Sequence, residues 1–166
     1  MRRLAVLAAI PALGLSACAT SAPTPAPHYT GTPQEQWVQG QQAYLAWSAA
    51  RPGWKTTPSG LQYHRAKAAR GPHPAPGATV TIHYVGRFID GRVFDSSRER
   101  GEPATFPLDR LIKGWQEGVP MMRVGETWDF VIPADLAYGD RDRAPIPPGS
   151  ALLFEIELIA VPDDEG

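Results

Sequence analysis

The chain has 166 residues, a length that suits one domain with extended ends; 43% hydrophobic and 20% charged content excludes a wholly disordered protein. Seventeen acidic and 16 basic side chains nearly cancel, so no basic surface argues for nucleic acid. Gly and Pro make up about a fifth of the chain, against a helical bundle, and its one Cys excludes an internal disulfide.

Arg2 and Arg3 precede Leu4 to Leu15, a stretch without a charge. A positive start followed by a short apolar run predicts a secretory signal, too short to span as a mature helix. No Ser or Thr precedes the arginine pair, which favours the general secretory route over the twin-arginine one. Leu15-Ser16-Ala17-Cys18 then resembles the bacterial lipobox, in which the Cys is lipidated. Residues 1–17 are therefore expected to be a signal peptide and Cys18 a membrane anchor. One acyl chain would hold only marginally, but the lipobox resemblance implies three. Ala19 rather than Asp after the Cys resembles the outer-membrane default, giving an envelope lipoprotein that faces the periplasm. Loss of residues 1–17 leaves 14 basic and 17 acidic side chains, a formal charge of −3.

Residues 18–33 carry Pro23, Pro25, Pro27 and Pro33 among Ala, Thr and Ser, a composition that predicts an extended tether. From Gln34 to Ala50 the period turns helical, with Trp37, Gln41, Tyr44 and Ser48 on one stripe. Arg51-Pro52-Gly53 ends it, and residues 34–58 form the helix and its connection. Such a helix either docks on its own domain or dimerises. Its shortness and Gly40 favour docking, and hence a monomer.

Three later segments alternate with the period of half-buried strands. Val80, Ile82 and Tyr84 share a face, as do Trp128, Phe130 and Ile132, and Leu152, Phe154, Ile156 and Leu158. Asp90-Gly91 is a hairpin signal ahead of Val93-Phe94. Leu111 to Gly118 is the one short helix expected in this half. The result is an α+β domain over residues 59–162, an antiparallel sheet with a helix on its apolar face.

Signatures for nucleotide binding, serine hydrolases and zinc proteases are absent. His28, His64, His73 and His83 lack metal-ligand spacing, and His28 and His73 are expected at the solvated surface. Ser96 and Ser97 fit a turn role better than a nucleophilic one. A surplus of aromatics remains: Tyr84, Phe94, Phe106, Trp115, Tyr138 and Phe154, one per element. They form either a core or the apolar cup of a small-ligand site.

Several blocks in order carry a family resemblance. His83-Tyr84-Val85-Gly86, Asp90-Gly91 and Phe94-Asp95-Ser96-Ser97 come first. Ile112-Lys113-Gly114-Trp115-Gln116-Glu117-Gly118, Ala137-Tyr138-Gly139, Ile146-Pro147-Pro148 and Leu153-Phe154-Glu155-Ile156-Glu157-Leu158 follow. Together they resemble the FKBP-type peptidyl-prolyl cis-trans isomerases, and Thr57-Pro58-Ser59-Gly60-Leu61-Gln62-Tyr63 is similar to the approach to the domain in periplasmic Mip-like members.

The resemblance implies a twisted antiparallel sheet wrapped round one short helix, and rotation about X–Pro bonds as the activity. It implies Trp115 as the floor under the prolyl ring, with Tyr84, Phe94, Phe106 and Phe154 as the wall. Leu111 and Ile112 correspond to the rim, the Ile112 N–H binding a substrate carbonyl, with Ile146 as a further substrate contact. Tyr138 resembles the flap hydroxyl, Asp95 the pocket carboxylate and Arg100 its partner. No cofactor or metal is implied. The substrates would be proline-containing exported proteins, unfolded or partly folded, and macrolide-type inhibitors would share the pocket. Ala104 stands where prototype members place an aromatic, and Arg141-Asp142-Arg143-Ala144-Pro145 replaces a Gly-richer flap. The alternative on the same scaffold is a holdase chaperone or an inactive peptide-binding module.

Overall fold

The computed structural model describes residues 29–162; the signal segment, Cys18 and most of the tether lie outside them. The elements are α1 (Pro33–Ala49), β1 (Lys55–Thr56), β2 (Gln62–Lys67), β3 (Thr79–Phe88), β4 (Val93–Ser96) and α2 (Ser97–Arg100). They continue as β5 (Ala104–Pro107), α3 (Lys113–Gly118), β6 (Thr127–Ile132) and β7 (Leu152–Ala160). Single 3-10 turns at Leu108–Arg110, Val119–Met121 and Ala134–Leu136 join the later ones.

The strands form one antiparallel sheet in the order β1-β2-β6-β7-β3-β4. The long β3 pairs with β7 along one edge; its other edge is shared by β5 at its start and β4 at its end. Register aligns the apolar sets, since Tyr84 lies opposite Ile156 and Ile156 opposite Trp128, while Phe130 lies opposite Phe154. The alternation read in the sequence is therefore one continuous face, on which Ile82, Ile132, Leu152, Ile156 and Leu158 are fully buried.

The helix α3 covers that face. It has six residues, two of them glycine, and would not persist alone. The glycines are what let it approach. A Cβ at Gly114 would meet Ile132 Cγ2 at 2.5 Å, and one at Gly118 would meet the Phe130 ring at 2.6 Å. These residues stand four apart, on the helix face that lies against β6. The helix starts two residues later than its sequence pattern suggests, because Leu111 closes a 3-10 turn and Ile112 is an extended cap.

Short elements escape periodicity altogether. The four-residue α2 owes its existence to Ser96, whose hydroxyl accepts from the Glu99 N–H, and it ends at Gly101 in the left-handed region. Strands β1, β2 and β5 were not read from the sequence; β1 has two residues, and β2 runs outward into exposed polar positions.

Helix α1 starts one residue earlier than expected. The Thr32 hydroxyl accepts from the Glu35 N–H, the Glu35 carboxylate accepts from the Thr32 N–H, and Pro33 suits the first turn. The end of the tether is thus folded onto the helix, with Gln39 exchanging two hydrogen bonds with Thr30. The helix docks on the sheet face turned away from α3, and its buried residues are polar: Gln41 and Ser48. Gln41 Oε1 accepts from the Ala151 N–H at 3.1 Å, Ser48 bonds Gln62, and Gln62 Nε2 donates to the Leu45 carbonyl at 2.9 Å. Docking by a few buried hydrogen bonds makes each of them matter. Gln41→Ala would leave the Ala151 N–H buried without an acceptor, so we expect urea denaturation to show a loss of about 1–3 kcal/mol.

Candidate active site

A cleft of about 600 Å³ opens between α3, the middle of β3, β4, β5 and the loop 137–149. Trp115 closes its bottom and is 5% exposed, held there by the close seat of α3 on β6. Phe154 meets the indole edge-on at 5.1 Å, and Tyr84 does so from another side at 5.3 Å. Phe94 packs edge-to-face on Phe154 at 5.7 Å, and Phe106 tilts against Tyr84 at 6.3 Å. Gly86 makes this possible, since a Cβ there would strike both the Phe94 and Phe154 rings. The aromatics expected either as core or as a cup are both at once. Their inner edges join the hydrophobic core and their outer faces line the cleft.

The polar corner is a closed triangle. Tyr84 Oη donates to Asp95 Oδ2 at 2.6 Å, Arg100 donates to Asp95 Oδ1 at 2.5 Å, and the second Arg100 nitrogen donates to Tyr84 Oη at 2.8 Å. Burial works against the Asp95 charge, but the hydrogen bonds from Tyr84 and Arg100 outweigh it and hold the carboxyl below its usual range. Burial, then the bond to Asp95, pushes the Tyr84 hydroxyl up. Both groups therefore keep one protonation state through neutral pH.

The rim is built from two helix-bounding turns. Leu111 and Ile112 line it, and the Ile112 amide, just ahead of α3, has no hydrogen-bond partner among the described residues. Opposite stands Tyr138, at the start of a loop that Gly149 N–H closes onto the Gly139 carbonyl at 2.9 Å. Nine of the eleven residues expected in the pocket line this cleft. Arg100 does not line the cleft but stands behind Asp95, bonded to it and to Tyr84. Ile146 is the exception: it is 6% exposed, packs in the hydrophobic core and is not among the residues that line the cleft, and its backbone pairs with Arg143 in a tight turn.

The other sequence candidates have structural partners. Ser97 Oγ accepts from the Tyr84 N–H at 2.8 Å and bonds the Tyr84 carbonyl, and so pins the start of α2 to β3. His83 Nδ1 lies 3.1 Å from the same hydroxyl, His64 stacks on Trp54, and the exposed His73 contacts the Met122 carbonyl. Sequence reasoning missed Arg110, Lys113, Gln116, Ala137, Arg141 and Arg143 on the cleft. The usable signal was their place beside Leu111-Ile112 and Tyr138.

Residues 71–159 match the model of the family described as FKBP-type peptidyl-prolyl cis-trans isomerase. The chain is 47% identical over 127 residues to the "FKBP-type peptidyl-prolyl cis-trans isomerase FkpA" of Aeromonas hydrophila, covering 76% of this chain and 47% of that protein. To the "Outer membrane protein MIP" of Legionella longbeachae it is 46% identical over 120 residues, covering 72% and 52%. The crystal structure of a peptidyl-prolyl cis-trans isomerase from Pseudomonas syringae superposes with a TM-score of 0.73 at 38% identity, covering 80% of this chain and 98% of that one. The chain spans about half the length of the curated relatives it matches. With the cleft, its aromatic floor and the Tyr84–Asp95–Arg100 triangle in the order of the matched segment, the chain belongs to the FKBP-type peptidyl-prolyl cis-trans isomerase family.

Proposed function

We propose that this chain accelerates cis/trans rotation of X–Pro bonds in exported proteins, with Trp115 as the floor that receives the prolyl ring. The observation that carries this is an apolar aromatic cup with an unpartnered backbone donor, Ile112 N–H, at its rim. A planar X–Pro amide owes its barrier of about 18–20 kcal/mol to resonance. At the twisted geometry resonance is broken and the amide is less dipolar. A water-poor apolar cup disfavours the planar amide more than the twisted one, and that difference is the catalysis. Seating the ring on Trp115 while Ile112 N–H and Tyr138 hold carbonyls supplies orientation. No proton or covalent bond needs to move.

Exchange spectroscopy on an Ala-Leu-Pro-Phe peptide tests the activity. Faster exchange with the protein supports the isomerase, and binding without faster exchange supports the holdase or inactive peptide module. Trp115→Ala is a poor probe, since truncating a buried aromatic typically loses about 3–5 kcal/mol of stability. Trp115→Phe keeps the apolar floor, and no partner of the indole N–H is lost, because it has none among the described residues. We expect it to lower kcat/KM with the fold retained by circular dichroism; unchanged kcat/KM would remove Trp115 from the site.

Asp95 separates rotation from proton transfer. Its lowered pKa and the raised one of Tyr84 predict a flat pH–rate profile from about pH 6 to 8. The stability Asp95 contributes is present above the ordinary carboxylate range and is lost as pH falls through its depressed pKa. Asp95→Leu should retain partial activity, since one orienting contact is worth about 1–3 kcal/mol, roughly ten- to a hundredfold. A bell-shaped profile would show proton transfer and overturn the mechanism.

The protein is further proposed to be a lipoprotein anchored through Cys18 and facing the periplasm at the outer membrane, as a monomer. The lipobox-like Leu15-Ser16-Ala17-Cys18 and the name of the Legionella relative, an outer membrane protein, support the location. The seat of α1 on its own domain supports the monomer. Cys18→Ala should move the protein from the membrane to the soluble periplasmic fraction; continued sedimentation with membranes after a salt wash would place the anchor elsewhere.

A further inference from the structure

The cleft is apolar within and cationic at its mouth. Arg110 comes from the turn before α3, Lys113 from the first residue of α3, and Arg141 and Arg143 from the facing loop. All four are exposed, and among the described residues none has a carboxylate within 4.0 Å. The one carboxylate on the cleft, Asp95, is already committed to Arg100 and Tyr84. This excess is local, because the whole chain carries a formal charge of −1.

In the facing loop Asp140-Arg141-Asp142-Arg143 alternates in sign. Lys113, Arg141 and Arg143 line both the cleft and an adjoining depression, whereas Asp135, Asp140 and Asp142 line only that depression. Arg143 is fixed further by its guanidinium, 5.1 Å above the Tyr138 ring, and by its backbone pairing with Ile146. A proline seated in the cleft carries its neighbours past this rim, since each residue of extended chain advances about 3.3–3.6 Å. Low-dielectric walls focus the field of charges around such an opening.

We propose that this rim selects X–Pro segments bearing an acidic side chain next to the proline, and disfavours segments bearing a basic one. The inference rests on the isomerase activity proposed above and names the substrate class of the same cleft. A peptide is favoured over an anionic membrane surface because the cations stand on two sides of a cleft lined by aromatic side chains and do not lie on a flat face.

The test is kcat/KM by exchange spectroscopy on neutral-capped Ala-Xaa-Pro-Phe and Ala-Leu-Pro-Xaa peptides, with Xaa as Glu, Leu or Lys. Four exposed charges acting together predict Glu over Lys by about tenfold at low salt in at least one series. Screening should bring the ratio below about threefold at 0.5 M salt. Arg110→Glu combined with Arg141→Glu should invert it. Turnover of the Leu peptides with Glu and Lys equal, or with Lys preferred, overturns the inference and leaves the isomerase standing. A Glu preference that neither salt nor the double variant alters also overturns it. No turnover of any peptide overturns both. Retention on anionic vesicles, lost in the double variant while the Glu/Lys ratio stays at one, would assign the rim to a membrane instead.

Discussion

The distance between α3 and the sheet governs the rest of the molecule. A six-residue helix has too few internal hydrogen bonds to define its own position, so its neighbours define it. Gly114 and Gly118 remove the two Cβ atoms that would otherwise strike Ile132 and Phe130. With the helix that close, Val119 and Met122 beyond it are fully buried, and Trp115 reaches across to Phe154 and Tyr84. A helix lifted by one methyl would leave the indole without its edge contacts. The floor of the cleft is therefore part of the core, and its shape is as rigid as close packing makes it.

Against that rigid wall the polar corner solves a local problem. A tyrosine hydroxyl at the edge of an apolar pocket must find a partner, and Asp95 supplies one. The carboxylate in turn would lose hydration, and Arg100 offsets that loss. Arg100 is available there because α2, capped by Ser96, turns the chain immediately after β4. Ser97 then fastens the same turn to the Tyr84 backbone. The triangle holds its charges in fixed protonation states, which suits a reaction that rotates a bond and transfers no proton.

How much of this was legible follows from the length of each signal. Strands β3, β6 and β7 are long and one-sided, so their alternation located Ile82, Tyr84, Phe130, Phe154 and Ile156 on one face. Val131 broke the pattern, being fully buried on the face turned away from α3. Its row carries Gln62, which α1 holds, so tertiary docking supplied what the strand period could not. Strand β1 and helix α2 are too short for any period to register. In the cleft, motif order identified the aromatics, the acid and the flap tyrosine. It put Ile146 in the cleft, whereas that residue packs in the core, and it gave the four rim cations no role. Charged residues on exposed loops look alike in sequence; only the fold shows which of them face one opening.

Helix α1 and the loop bearing Tyr138 turn out to be one mechanical unit. Gln41 holds the Ala151 N–H, and Val38 lies against Gly149, where a Cβ would come within 3.3 Å of its methyl. Gly149 in turn donates to the carbonyl of Gly139, the neighbour of Tyr138. The loop is thus clamped at its base between the helix and β7, while the stretch from Asp140 to Pro145 stays exposed. Such a loop keeps Tyr138 in register with the rim formed by Ile112, with Arg143 stacked on the Tyr138 ring and Arg141 exposed beside it. The two demands that the proposed activity puts on the cleft, a fixed seat for one prolyl ring and a charged rim for its neighbours, fall to different parts of the same loop.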